Sequence, residues 1–263
     1  MGRVRLDQLL LDRGLARSKA QAEAIILSGS VILEGAGSRT LKPGQAVSAE
    51  AAVQLVRPPR WASRAGQKLE AALDAFTVDP SGLACLDAGA STGGFTDVLL
   101  ERSARIVYAV DVGRGQLLDR LRRDPRVVSM ERTNLRQLAS LPEPIDLATL
   151  DLSFISLRVV LRAVRNLLKA DAGRCVALVK PQFEAARDLV PRRGIVRDPE
   201  VHRQVLERFG VDAASAGFVP SGLIRSPISG TDGNVEFLAL LLQAEGLSAE
   251  DWGLSVAEVV APD

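Results

Sequence analysis

Residues 83–97 read "LACLDAGASTGGFTD". An apolar run closes on Asp87, a glycine-rich turn follows, and the chain then sets out on what reads as a helix. Strand, tight turn and helix in that order form the ligand-binding corner of an open α/β sheet. The spacing of the turn narrows the ligand. A phosphate-cradling P-loop needs Gly-Lys-Ser/Thr, and this loop has none. A dinucleotide loop needs Gly-x-Gly-x-x-Gly, so that backbone can close on a pyrophosphate. Here the loop is Gly89-Ala90-Ser91-Thr92-Gly93-Gly94, with Ser91 where the second glycine belongs.

A ligand without phosphate does not need that close approach, and S-adenosylmethionine is such a ligand. Its amino-acid portion can lie over a glycine-lined turn, held by backbone groups and an acid. Asp87 stands at the strand end for that acid. Gly89, Ala90, Ser91, Thr92, Gly93, Gly94 and Phe95 form the expected cradle. The next strand ends "VYAVDVG", and Asp111 lies 24 residues after Asp87. A carboxylate there accepts hydrogen bonds from both hydroxyls of an adenosine ribose. Asn134, in "RTNLRQL", sits near where an adenine edge would lie; capping a helix is the equal reading.

Around this corner, apolar runs alternate with helical periodicity. Strands are expected at 83–88, 105–111, 126–130, 145–151, 173–180, 218–225 and 234–242, with helices near 93–103, 115–122, 156–169 and 199–216. That alternation predicts a doubly wound parallel sheet. The last two strands have no helix-length spacer between them, so an antiparallel hairpin at the sheet edge is expected. A seven-stranded sheet with one reversed strand is the shape usual for S-adenosylmethionine-dependent methyltransferases.

Ionisable residues at strand ends suggest the chemistry. Asp151 falls at the end of "IDLATLD", where open sheets bind ligands. Enzymes that methylate exocyclic amines of bases commonly have Asn/Asp-Pro-Pro-aromatic here; this chain has Asp151-Leu152-Ser153-Phe154. Lys180 closes the apolar strand "CVALVK". Glu236 lies in "GNVEFLALL", read as the edge strand, and Lys68 lies on the helix "GQKLEAALDAF". Lys68, Asp151, Lys180 and Glu236 come from four separate elements and can converge above the sheet. A ribose 2′-hydroxyl is a poor nucleophile, and its attack on a sulfonium methyl needs a base and a charge arrangement that favours the developing alkoxide. Two lysines interleaved with two carboxylates meet that need. Lys180 is expected to take the proton, Asp151 to orient it, and Lys68 and Glu236 to position the ribose.

The first quarter differs. Residues 1–64 carry ten Lys/Arg and five Asp/Glu, whereas the whole chain is only +1. Residues 4–28 have helical periodicity with a break at Gly14. Ser18 and Gln21 form a capping-box pattern, and short β patterns follow at "SVILEG" and "AVQLV". A compact module over 1–57 is expected, then a stiff basic linker at 58–64, a catalytic domain over 65–245 and an acidic tail over 246–263. Arg3, Arg5, Arg17, Lys19, Arg57 and Arg60 are the candidate RNA-phosphate contacts. With Trp61 the nearest aromatic, little base stacking is expected before a nucleotide is flipped into the pocket.

Cys85 and Cys175 sit in apolar strands and read as free buried thiols. The single His202, in "PEVHRQV", reads as a surface helix residue, so no metal site is expected. No signal peptide or membrane span is visible, which predicts a cytoplasmic protein.

"RLDQLLLDRGLARSKAQAEAIILSG" resembles an S4 RNA-binding domain. "SRAGQKLEAAL", "CLDAGASTGGFTD", "LDLSFISL", "LVKPQFE" and "GNVEFLALL" resemble an FtsJ-type methyltransferase core. Together they resemble the TlyA/haemolysin A family over nearly the whole chain. The Arg17-Ser18 order departs from the reverse order common in S4 helices. The resemblance implies a Rossmann-like class I methyltransferase sheet of seven strands, one antiparallel, with a small N-terminal S4 domain. It implies S-adenosylmethionine as cofactor, ribosomal RNA or ribosomal subunits as partner, and 2′-O-methylation of cytidine. It also implies a Lys-Asp-Lys-Glu tetrad, whose motifs fall on Lys68, Asp151, Lys180 and Glu236. A non-catalytic S4-domain assembly factor and a membrane-active haemolysin are the competing readings. The intact tetrad argues against the first, and the lack of a pore-forming segment against the second.

Overall fold

A computed structural model describes residues 2–27, 29–34, 41–56, 60–230 and 233–261. Its contacts divide the chain between Arg64 and Ala65 into two compact units.

The small unit runs β1 (Arg3–Arg5), α1 (Leu6–Asp12), α2 (Lys19–Leu27), β2 (Val31–Leu33), β3 (Ala46–Ser48) and β4 (Val53–Leu55). The periodicity of α1 works as read, for Leu6, Leu9 and Leu10 are buried against Ala22, Ile26, Val31 and Val47. Ser18 caps α2 by accepting from Gln21 N at 3.2 Å, and the Gln21 side chain accepts from Arg17 N at 2.7 Å. The two expected strands pair as β2 and β4, antiparallel. A second ribbon, β1 with β3, was not expected. Three residues of Arg-Val-Arg or Ala-Val-Ser are too short to show an alternation.

The large unit opens with α3 (Ala65–Ala75) and then alternates: β5 (Ala84–Ala88), α4 (Gly94–Glu101), β6 (Ile106–Val110), α5 (Asp119–Arg122), β7 (Val127–Met130), β8 (Leu147–Leu150), α6 (Leu161–Leu167), β9 (Arg174–Val179), α7 (Pro181–Glu184) and α8 (Pro199–Ser215). It closes with β10 (Val219–Arg225), β11 (Phe237–Leu242) and α9 (Ala249–Val260). Among the described residues these strands form a seven-stranded sheet in the order β10-β11-β9-β8-β5-β6-β7. Only β11 is reversed. The hairpin of β10 and β11 forms as expected. Its order corrects one expectation: β10 takes the edge and β11 lies inside, between β10 and β9. Six consecutive buried or half-buried apolar residues, "FLALLL", suit an interior strand, whereas β10 is partly exposed along its length.

The chain leaves β5 toward β6 on one side and returns to β8 on the other. This reversal opens a crevice at the carboxyl ends of β5, β6 and β8. Both faces of the sheet are covered, and the apolar core is continuous from Leu86 and Tyr108 to Phe209, Phe237 and Trp252. Cys85 and Cys175 are free and buried, and burial pushes the Cys85 thiol up to about 12.

His202 corrects a second expectation. The helical period carries it inward with Val201, Val205, Leu206 and Phe209, and it is 5% exposed. Polar neighbours in sequence concealed an inward position in the helix. Within the expected acidic tail, Ser248 caps α9, and Trp252 is buried, donating to Leu206 O at 3.2 Å.

Candidate active site

The loop after β5 is built around three residues with positive φ: Gly89 (+85°), Ser91 (+47°) and Gly93 (+100°). Gly89 has no substitute, because a Cβ there would collide with the carbonyl oxygen of Asp151. The loop and the end of β8 thus touch backbone to backbone, with Asp151 N donating to Ala88 O at 2.9 Å. Gly93 leads into α4 under Leu117 and Leu121, which a side chain would meet. Ser91 adopts left-handed backbone without being glycine, and its N–H donates to Asp111 Oδ2 at 2.8 Å. The other oxygen, Oδ1, accepts from Gly113 N at 2.7 Å. The residue that breaks the dinucleotide spacing therefore ties the loop to the acid at the end of β6.

A cavity of about 370 Å³ opens beside this loop. Gly89, Ser91, Asp111, Asn134 and Asp151 line it. Its size lies within the ~300–1,000 Å³ typical of small-ligand sites. Asn134 both faces the cavity and caps the turn at Leu135–Gln137, accepting from Arg136 N at 3.1 Å. Asp87 does not reach the wall. It is fully buried beneath the loop, accepting from Thr96 Oγ1 at 2.6 Å and from Thr149 Oγ1 at 3.5 Å. Burial, reinforced by the charge of Asp151, raises its carboxyl to about 7. Ala90, Thr92, Gly93, Gly94 and Phe95 shape the loop from behind.

The four residues assigned to chemistry form two ion pairs. Lys180 Nζ lies 2.6 Å from Asp151 Oδ1 and donates to Ser153 Oγ at 3.0 Å. Lys68, on α3, pairs with Glu236; both are buried. Glu236 lies one residue before β11. Val179 pairs with Phe237, so one more step of the same register sets Glu236 opposite Lys180. The two pairs therefore meet across the β9–β11 boundary, at the carboxyl edge of the parallel strands.

Sequence reading missed a group at the cavity mouth. Phe154 is 90% exposed and has φ +65°, a strained setting for an aromatic residue. Its ring lies 5.2 Å from that of Phe183, and Lys180 Nζ lies 5.9 Å from the Phe183 ring. The Phe154 ring beside the cavity is an aromatic surface additional to the Trp61 expected near the basic residues of the first unit. The signal was present: a phenylalanine three residues after the strand-end acid has no core position to fill. Glu184 fixes the same loop, accepting from Ser156 Oγ at 2.6 Å and Leu157 N at 2.8 Å; burial raises its carboxyl.

The FtsJ-like methyltransferase family matches residues 61–242, which contain the loop, the cavity and both ion pairs. The chain belongs to that family. More narrowly, it is 45% identical over 258 residues to the 16S/23S rRNA (cytidine-2′-O)-methyltransferase TlyA of Mycobacterium tuberculosis, covering 93% of this chain and 94% of that one. It is 36% identical to hemolysin A of Brachyspira hyodysenteriae, over 90% of this chain and 98% of that one. A solved structure of a candidate hemolysin from Streptococcus thermophilus superposes with a TM-score of 0.72 at 40% identity, covering 98% and 96% of the two chains. The TlyA/haemolysin A resemblance thus holds over nearly the whole length. Among the described residues, no helix is long and apolar enough to cross a membrane.

The candidate RNA contacts of the small unit differ in how far they are engaged within the protein. Arg3, Arg17 and Lys19 are exposed, and Arg3 donates to Ala46 O at 2.9 Å. Arg5 is held by Asp7, at 2.9 and 2.5 Å. Arg60 lies over the Trp61 ring at 4.6 Å. Arg57 lies outside the described residues.

Proposed function

We propose that this methyltransferase uses S-adenosylmethionine to methylate the 2′-hydroxyl of a cytidine in ribosomal RNA. The observation that carries the proposal is the Lys180–Asp151 pair, whose Asp151 lines the same cavity as the Asp111 carboxylate. The residues fit the cofactor. Gly89 lets the loop close on the end of β8 while lining the cavity, Asp111 offers a carboxylate for two ribose hydroxyls, and Asn134 can meet an adenine edge. When bound, S-adenosylmethionine supplies an electrophilic methyl group on a sulfonium. Asp151 holds Lys180 at the mouth. Lys180 is the group that would accept the proton of the 2′-hydroxyl, and the methyl group supplied by the bound cofactor would pass to that oxygen. The Lys68–Glu236 pair fixes the neighbouring register and offers polar contacts to the ribose. Phe154 presents an apolar face to a base turned out of its stack.

The cytidine assignment is carried over from the Mycobacterium tuberculosis relative. We further read residues 1–57 as an S4-like RNA-binding domain, 58–64 as linker, 65–245 as the catalytic domain and 246–263 as an appended tail. Arg3, Arg17, Lys19, Arg57 and Arg60 would serve as phosphate contacts, which position RNA without reading sequence. Arg5, engaged by Asp7, would contribute less.

The test is methyl transfer from labelled S-adenosylmethionine to unmodified ribosomal subunits, with Lys180→Ala alongside. Label in alkali-resistant cytidine-containing dinucleotides, reduced ~10³-fold by the substitution, is expected for loss of a positioned base. Label on a free base, or an unaffected variant, would contradict the proposal.

A further inference from the structure

The segment between α7 and α8 reads "RDLVPRRGIVR" over residues 187–197. Arg187, Arg192, Arg193 and Arg197 are all exposed. Elsewhere in the large unit arginines are commonly matched to acids: Arg102 to Glu70 and Asp74, Arg126 to Asp124, Arg203 to Glu200 and Glu207. None of these four has a carboxylate partner among the described residues. The acids at hand are Asp188 and Asp198, and Asp198 is occupied in capping α8, accepting from Glu200 N at 2.9 Å.

This basic segment is held firmly. Asn234, 2% exposed, accepts from Val196 N at 2.9 Å and donates to Gly194 O at 2.9 Å. The buried His202 ring nitrogen Nε2 meets Val196 O at 3.0 Å, and the ring packs edge-on against Phe237 at 5.5 Å. Asn234 is two residues from Glu236, and Phe237 is the next residue on. The same short stretch of chain therefore holds the arginine segment and the buried Glu236. The segment also starts three residues after Glu184, at the carboxyl edge of the sheet, and encloses a groove of about 450 Å³ lined by Leu189, Pro191, Arg192, Arg193, Ile195 and Arg197.

Unmatched guanidinium groups on a backbone-anchored segment that follows the Lys180 strand match a chain of phosphates. Backbone anchoring reduces the entropy lost on binding, and the planar donor fork suits phosphate oxygens. We infer that Arg192, Arg193 and Arg197 form a phosphate-binding rim within the methyltransferase unit, gripping the RNA backbone beside the nucleotide to be modified. The inference rests on the reading of the chain as an RNA methyltransferase. It also gives Asn234 and His202 a purpose: they position the rim and touch neither cofactor nor reacting atoms.

The test compares the full chain with R192Q/R193Q/R197Q, and with R203Q as a control in which an already matched arginine is removed. Binding to labelled naked ribosomal RNA and to intact ribosomal subunits is measured from 50 to 200 mM salt, with S-adenosylmethionine affinity and melting temperature measured in parallel. Loss of three phosphate contacts should flatten the log–log salt dependence by about 2. The wild type would then lose roughly 20-fold more affinity than the triple variant across that range. Cofactor affinity and melting should not change, and R203Q should keep the wild-type slope. An unchanged slope in the triple variant, with the wild type still methylating ribosomal RNA, overturns the rim and leaves the proposed function standing. A wild type that neither binds nor methylates ribosomal RNA overturns both. A triple variant that binds naked RNA normally but loses intact subunits would assign the arginines to an acidic protein surface and overturn the RNA rim. An equal effect of R203Q would reduce it to general charge.

Discussion

The two units bury charge in different ways. In the small unit, the buried carboxylate of Asp7 is matched by Arg5, two residues away and itself exposed. Local sequence supplies the partner, and water still reaches the cation. In the large unit, Lys68 and Glu236 are 168 residues apart and both buried, and Lys180 meets Asp151 across 29 residues of chain. Bringing such groups out of water costs several kcal/mol per ion, and their attraction seldom returns more than it costs. A local pair such as Arg5–Asp7 is explained by folding. Two distant pairs, one buried and one part-buried, meeting at one sheet edge beside a cavity are explained by chemistry.

The contrast sets an order of expected effects. Glu236→Ala leaves the Lys68 ammonium buried without its partner and should cost about 3–5 kcal/mol of unfolding free energy; a urea-melt loss under 1 kcal/mol would mean the pair is more hydrated than its burial implies. Gly89→Ala forces a side chain against Asp151 O at φ +85°, and should lower stability by about 2–3 kcal/mol and weaken S-adenosylmethionine binding in calorimetry. Wild-type affinity in the Gly89→Ala variant would show that the loop does not need its close approach to β8.

Asp87→Asn should act through pH. Its folded carboxyl, near 7, lies above the unfolded value of about 3.9, so folding favours the protonated form. Below pH ~4 both states are protonated and no penalty exists. As pH rises from 4 to 7, the wild type should lose stability relative to the variant by up to about 1.4 kcal/mol per unit, then level off. A pH-independent gap between their urea midpoints would contradict the burial argument. The smallest effect belongs to the small unit. Asp7→Asn keeps an acceptor for Gln8 N and weakens only a part-exposed pair, at about 1 kcal/mol, with single-turnover methyl transfer at saturating RNA unchanged.

Much of this was legible in sequence because it is periodic. Each sheet strand of the large unit announced itself by an apolar run, and the loop, Asp111, Asp151 and Lys180 lay at run ends, where open sheets put their ligands. What escaped was set by three-dimensional neighbours. His202 sits among polar residues in sequence and among apolar ones in space. β11 slots between β10 and β9 through long-range pairing that no local pattern encodes. Asp87 looks like a ligand to the cofactor, yet Thr96 and Thr149 close over it. Phe154 was named only as part of the Asp151-Leu152-Ser153-Phe154 stretch, because its outward turn at φ +65° is a backbone conformation that the sequence pattern does not display.

The claim that the two pairs exist for chemistry rather than for folding is tested most directly by replacing one pair whole. In Lys180→Met/Asp151→Leu, unfolding free energy and methyl transfer to unmodified ribosomal subunits are measured on the same preparation. Stability equal to or above wild type, with transfer reduced at least ~10³-fold, is the predicted result. A variant several kcal/mol less stable that still transfers methyl groups at the wild-type rate would contradict it.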